Sequence, residues 1–154
     1  RQGFGYGVVL IGNSSAEIVR NRFDYNRHSV AGTGHSGQSY RAFQNTFGEH
    51  HLDSTLDMHG GVDRKDGTNI AGNNIVIENN VILCSQTPAF VFRGLPQGSF
   101  IFKKNKLKHS SLFKALTVTS HNLAKPMVDY MLFKSLTGTN IFFKQFDVRE
   151  NSLF

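Results

Sequence analysis

The sequence predicts an all-β protein, a parallel β-helix built as a single-stranded solenoid of about six coils. Three observations lead there. An Asn-x-apolar triplet recurs as Asn21-Arg22-Phe23, Asn45-Thr46-Phe47, Asn80-Val81-Ile82 and Asn105-Lys106-Leu107, at spacings of 24, 35 and 25 residues, and Asn151-Ser152-Leu153 follows Asn105 by 46. Each triplet is preceded by two short apolar strands. No segment carries a convincing amphipathic helix; the stretch that comes nearest is Leu116 to Phe133.

The first strand of each unit ends at glycine: Val8-Val9-Leu10-Ile11-Gly12, Val30-Ala31-Gly32-Thr33-Gly34, Leu56-Asp57-Met58-His59-Gly60 and Phe90-Val91-Phe92-Arg93-Gly94. The second alternates with period two through the pairs Ala16 and Ile18, Tyr40 and Ala42, Ile75 and Ile77, Phe100 and Phe102, as a strand with one buried face does. Each unit therefore reads strand, Gly turn, strand, Asn turn. Stacking such units every ~4.8 Å places like residues over like residues. An Asn column then pairs its amides from coil to coil, and Asn also tolerates a left-handed bend. The longer spacing before Asn80 marks an insertion of about ten residues between Gly60 and Asn74, with Asp63, Arg64, Lys65 and Asp66 at its tip. Residues 1–154 read as one β-helix domain or as a fragment of a longer solenoid, with 109–140 an irregular coil or partial cap.

Composition narrows the function. The chain has 154 residues with a formal charge of +6, a single cysteine and no tryptophan. Cys84 alone permits neither an internal disulfide nor a cysteine-based zinc site. No apolar run is long enough to span a membrane. The positive charge points to an anionic partner or to lysines that keep strand edges soluble. Lys103, Lys104, Lys106 and Lys108 alternate with apolar residues as one basic strand face, and no stacking motif or recognition helix accompanies them, so no nucleic-acid partner is expected. The run Gly32-Thr33-Gly34-His35-Ser36-Gly37 fits a dinucleotide pattern but leads into a strand instead of a helix, and is read as a turn.

Alignment of the glycine-ended strands gives four columns. Val8, Val30, Leu56 and Phe90, with Leu10, Gly32, Met58 and Phe92, face inward. Val9, Ala31, Asp57 and Val91, with Ile11, Thr33, His59 and Arg93, face outward. Asp57 and His59 thus lie ~7 Å apart on one outer face, with Arg93 one coil away. His28, Arg27 and Tyr25 leave the first bend, and Glu49, His50, His51 and Asp53 crowd the second.

With these residues in place, the chain resembles the right-handed parallel β-helix repeat proteins, the superfamily that includes pectate lyases; the likeness covers residues 6 to 107. Phe23-Asp24-Tyr25-Asn26-Arg27-His28, Leu56-Asp57-Met58-His59-Gly60 and Ile75-Val76-Ile77-Glu78-Asn79-Asn80 resemble bacterial and archaeal β-helix proteins of no settled activity. The resemblance implies a secreted or cell-envelope protein that acts on or binds a polysaccharide, and the net charge points to an acidic one. The scaffold hosts many chemistries, so function must come from the site.

The expected catalytic residues are His59, Asp57, Arg93 and His28, with Tyr25, Arg27, Asp53 and His51 binding substrate. In a lyase, Arg93 neutralises a uronate, His59 abstracts the adjacent proton and Tyr25 or His28 donates one. In a glycosidase, Asp53 and Asp57 supply the carboxyl pair. No cofactor is required by the sequence, although His28, His51, Asp57 and His59 offer donors for a divalent metal. The alternatives are a non-catalytic glycan-binding, adhesin or structural module, in which these side chains cap turns.

Overall fold

The computed structural model describes residues 5–120, 123–126 and 145–154. The first coil comprises β1 (Val8–Leu10), β2 (Ser15–Val19) and β3 (Arg22–Phe23), and the second β4 (Val30–Gly32), β5 (Ser39–Phe43) and β6 (Thr46–Phe47). The third holds β7 (Leu56–Met58), the short helix α1 (Gly61–Arg64), β8 (Ile75–Glu78) and β9 (Val81–Ile82), and the fourth β10 (Phe90–Phe92), β11 (Ser99–Lys103) and β12 (Lys106–Leu107). Then come α2 (Leu112–Ala115), β13 (Leu116–Ser120), β14 (Leu123–Pro126), β15 (Gln145–Asp147) and β16 (Ser152–Leu153).

Each of the first four coils gives one strand to each of three sheets. Sheet A runs β1-β4-β7-β10-β13-β14, sheet B β15-β11-β8-β5-β2 and sheet C β16-β12-β9-β6-β3. Every described pair is parallel except β13 with β14. The protein is a parallel β-helix. The expected register holds residue for residue, Val8 over Val30 over Leu56 over Phe90 and Leu10 over Gly32 over Met58 over Phe92. Where it is described, the stretch from Leu116 that comes nearest to a helix is strand instead: Leu116–Ser120 and Leu123–Pro126 are strands, and Leu116, Thr117 and Val118 continue the stack on Phe90, Val91 and Phe92. The remainder of that stretch, and much of 109–140, lies outside the described residues.

Inward residues of the three sheets form a single core, and the fourth coil fills it with Phe90, Phe92, Phe100 and Phe102, whose ring centroids lie 4.5 to 6.2 Å apart. At the bend between sheets B and C the asparagines form a continuous ladder. Asn21, Asn45, Asn80 and Asn105 each donate backbone N–H to the side-chain Oδ1 of the next asparagine at 2.8 to 3.0 Å, ending at Asn151. Each Nδ2 also donates along the ladder, and those of Asn45, Asn80, Asn105 and Asn151 donate to the carbonyls of Ile18, Ala42, Ile77 and Phe102. The left-handed residue is not the asparagine but the one before it: Arg20, Gln44, Asn79, Lys104 and Glu150 have φ between 55° and 58°. That turn frees the asparagine to point its amide into the stack.

The insertion starts at Gly60, where an added Cβ would lie 1.6 Å from the Arg93 carbonyl oxygen, so only glycine lets it pass the next coil. Arg64 ties it down, donating to the carbonyls of Thr33 (2.8 Å) and Ile70 (3.1 Å) and to Asp66. Asp63 of α1 is thereby brought to the face of sheet A.

Candidate functional site

Asp57 occupies the middle of β7, between Ala31 and Val91 in register, on the face opposite Leu56 and Met58. An outward side chain was expected to meet solvent, yet Asp57 is fully buried. It is covered by Arg93, His59 and His28. Arg93 Nε donates to its carboxylate at 3.0 and 3.3 Å, His59 Nε2 lies 3.3 Å away, and His28 Nε2 lies 3.5 Å away. Burial raises the Asp57 pKa, and Arg93, His59 and His28 oppose that rise.

His59 stands between two carboxylates: Nε2 faces Asp57, and Nδ1 lies 3.0 Å from Asp63 Oδ2. Only a doubly protonated imidazole donates to both; the neutral ring donates to one. Arg93 also reaches Asp53 at 3.6 Å and Asp63 at 4.0 Å, so one guanidinium contacts three carboxylates. Burial works against the charge on Asp53, but the Ser54 N–H, His28, Arg93 and Arg27 outweigh it and leave its pKa lowered. Asp53 and Asp63 remain over a third exposed and are the carboxylates within reach of a ligand.

His28 is completely buried and donates from Nδ1 to the Ser54 carbonyl at 2.7 Å, which leaves Nε2 facing Asp57 and Asp53. Burial lowers its pKa; Asp57, the Ser54 carbonyl and Asp53 recover part of the shift. Tyr6 stacks on its outer side, ring centroids 5.5 Å apart, and Arg27 lies over Tyr6 at 6.0 Å while contacting Asp53 at 3.7 Å. An open groove of about 240 Å³ runs beside this group, lined by Tyr6, Val9, Ala31, Gly32, Thr33, His59, Asp63 and Arg64.

The fold thus gathers His28, Asp53, Asp57, His59, Arg93 and Arg27 into one network. Tyr25 and His51 take other partners. Tyr25 stacks on His50, and His51 Nε2 bonds the Ser29 hydroxyl at 2.6 Å. His51 also neighbours buried Cys84, whose thiol is pushed up by burial but lowered overall to about 6 by hydrogen bonds from His51, Thr87 and the Gln86 and Thr87 backbone. The donor set His28, His51, Asp57 and His59 therefore does not converge, and among the described residues no group of three or more His, Cys, Asp or Glu is arranged to hold a metal ion. Asp63 and Tyr6 were not singled out as site residues from the sequence. Asp63 arrives through the insertion and Tyr6 from before β1, and neither occupies a repeat column.

Comparison with known proteins returns no match among family models, curated proteins or solved structures. Among the described residues, no helix is long and apolar enough to cross a membrane.

Chemically, the cluster provides a partly exposed imidazole with a carboxylate on each nitrogen, two exposed carboxylates and a guanidinium already held by acids. That set suits proton transfer to or from a polar ligand lying in the groove.

Proposed function

We propose that the protein is a carbohydrate-active β-helix of the pectate-lyase-like kind that binds an acidic polysaccharide across sheet A and acts on it through His59. The observation that carries this reading is the placement of His59 at the groove edge, 3.3 Å from buried Asp57 and 3.0 Å from Asp63. Asp57 orients the ring and balances its charge, and Asp63 offers a second proton-exchanging partner. The chain's charge of +6 favours an anionic polymer, and the half-exposed Arg27 is the guanidinium best able to meet a uronate.

Hydrolysis fits the cluster better than β-elimination. A lyase requires a cation free to neutralise the substrate carboxylate, whereas Arg93 already contacts Asp57, Asp53 and Asp63, and Arg27, though more exposed, contacts Asp53 at 3.7 Å. Hydrolysis needs carboxyl groups that face the sugar, and Asp53 and Asp63 are accessible. A non-catalytic glycan-binding or structural module is the second reading. It is favoured by the same saturation, since Asp57 and Arg93 each satisfy the other.

Incubating the protein with uronate-containing and neutral polysaccharides, while following reducing ends and the absorbance of unsaturated products, tests the proposal. New reducing ends without absorbance are expected; absorbance would assign a lyase. Retention on affinity gels without turnover would leave the binding module.

A further inference from the structure

One oxygen of Asp57 joins the two histidines of the cluster. Its Oδ2 lies 3.5 Å from His28 Nε2, 3.3 Å from His59 Nε2 and 3.0 Å from Arg93 Nε. His28 Nε2 also lies 3.7 Å from Asp53 Oδ2, and His59 Nδ1 lies 3.0 Å from Asp63 Oδ2. Acid and imidazole therefore alternate along one line of contacts: Asp53, His28, Asp57, His59, Asp63. The two end carboxylates are over a third exposed, whereas His28 and Asp57 are fully buried. The groove is lined by His59 and Asp63 but not by Asp53, so a ligand lying in it meets one end of the line and leaves the other to solvent.

The buried middle of this line calls for one proton more than ionised acids and neutral rings supply. The Ser54 carbonyl, 2.7 Å from His28 Nδ1, can only accept, so the hydrogen of the neutral ring sits on Nδ1, where the Ser54 hydroxyl at 3.1 Å accepts as well. Nε2 is then a bare lone pair facing the Asp57 and Asp53 carboxylates, and it has no hydrogen-bond partner. Three acceptors meeting away from water repel one another. A single proton, on Nε2 or on Asp57 Oδ2, removes the conflict. Burial lowers the His28 pKa and raises that of Asp57, which draws the two affinities for that proton together. Arg93 lowers both, so the proton is held loosely. The surroundings keep the pair in place: Tyr6 stacks on His28, and Arg27 and Arg93 contact Asp53.

We propose that His28 is a positioning residue for His59: with Asp57 it stores one proton in the buried middle of the line and delivers it through Asp57 Oδ2 to His59 Nε2, Asp53 replacing it from solvent. This rests on the proton-transfer role given to His59 above. The stored proton moves from His28 Nε2 to Asp57 Oδ2 and on to His59 Nε2, while His59 Nδ1 gives its hydrogen to the ligand. Asp53 then returns a proton from water to His28 Nε2, and the partly exposed His59 ring exchanges its hydrogen with water once the groove empties. The net transfer is one proton from water to ligand, supplied from behind a covered groove.

Two measurements test this. The first needs no substrate: side-chain nitrogen and carbon NMR of the whole chain across pH, with signals assigned through His28→Asn and Asp57→Asn. His28 Nδ1 is expected to carry a hydrogen throughout, and His28 Nε2 and the Asp57 carboxyl carbon to change together over one pH range, with a proton on the pair near neutral pH. A bare Nε2 beside an ionised Asp57 near neutral pH overturns the proposal. The second is turnover of the polysaccharide that wild type degrades, with thermal melts alongside. His28→Asn keeps a donor for the Ser54 carbonyl but passes no proton, and should lower kcat about ten- to a hundredfold with KM changed less than about threefold. Asp53→Asn, at an exposed position and nearly isosteric, should lower kcat about threefold or more. Wild-type kcat in both folded variants also overturns the proposal while His59 keeps its role. If wild type turns over no glycan, the glycan reading falls and the NMR result alone decides whether the proton is shared.

Discussion

The Asp57 carboxylate, fully buried on the outer face of its sheet, receives the Arg93 Nε–H at 3.0 Å from one coil further along the stack. A carboxylate with no solvent access is tolerable only with such a partner. Removing it should leave Arg93 and His59 without their shared anchor. Asp57→Ala is expected to lose about 2–4 kcal/mol in urea unfolding, and Asp57→Asn, which keeps an oxygen for Arg93, less than half of that. Equal losses for the two variants would mean that packing, not the charge pair, stabilises this point.

The asparagine ladder gives a graded prediction. The Asn80 side chain makes four hydrogen bonds inside the stack, with Asn45 N and Nδ2, the Ala42 carbonyl and Asn105 Oδ1. Asn80→Ala orphans buried donors and an acceptor and should cost about 2–4 kcal/mol. Asn21 sits at the solvent-exposed end of the described ladder, where its side chain makes only two bonds, and Asn21→Ala should cost under ~1 kcal/mol. Chemical denaturation of the two variants side by side measures the difference.

Histidine burial makes stability depend on pH. His109 is buried, and burial lowers its pKa below 6.5 although its hydrogen bond to the Thr87 carbonyl opposes the shift. The unfolded chain then takes up a proton before the folded chain does, so this contribution is intact above pH 6.5 and is lost as pH falls toward the lower folded value. His28 acts in the same direction, while Asp57, with a raised folded pKa, gains relative stability as pH falls toward 3.8 and offsets it. His109 is therefore the group to test. Unfolding midpoints of wild type should drop below pH 6.5, and those of His109→Gln should drop less.

Much of this architecture was legible in the sequence. Side-chain period two and the Asn triplets set the register of β1, β4, β7 and β10, because stacked coils force like residues into columns. The clustering of Asp57, His59 and Arg93 followed from the same columns. What escaped was whatever the repeat does not encode. The burial of Asp57 depends on His28 folding over it from a bend, and Asp63 comes from an insertion whose path is set by Gly60 and Arg64. The left-handed turn falls one residue before the asparagine, since the preference of asparagine for that conformation is general, whereas its ladder geometry requires the preceding residue to turn.

The decisive measurement is the turnover of His59→Ala on the polysaccharide that wild type degrades, with the Kd of that polysaccharide measured for both proteins. If His59 moves the proton, turnover should fall at least about a hundredfold while Kd changes by less than about threefold. Turnover unchanged from wild type in a folded His59→Ala protein would contradict the assignment and leave Asp57, His59 and Arg93 as a structural network.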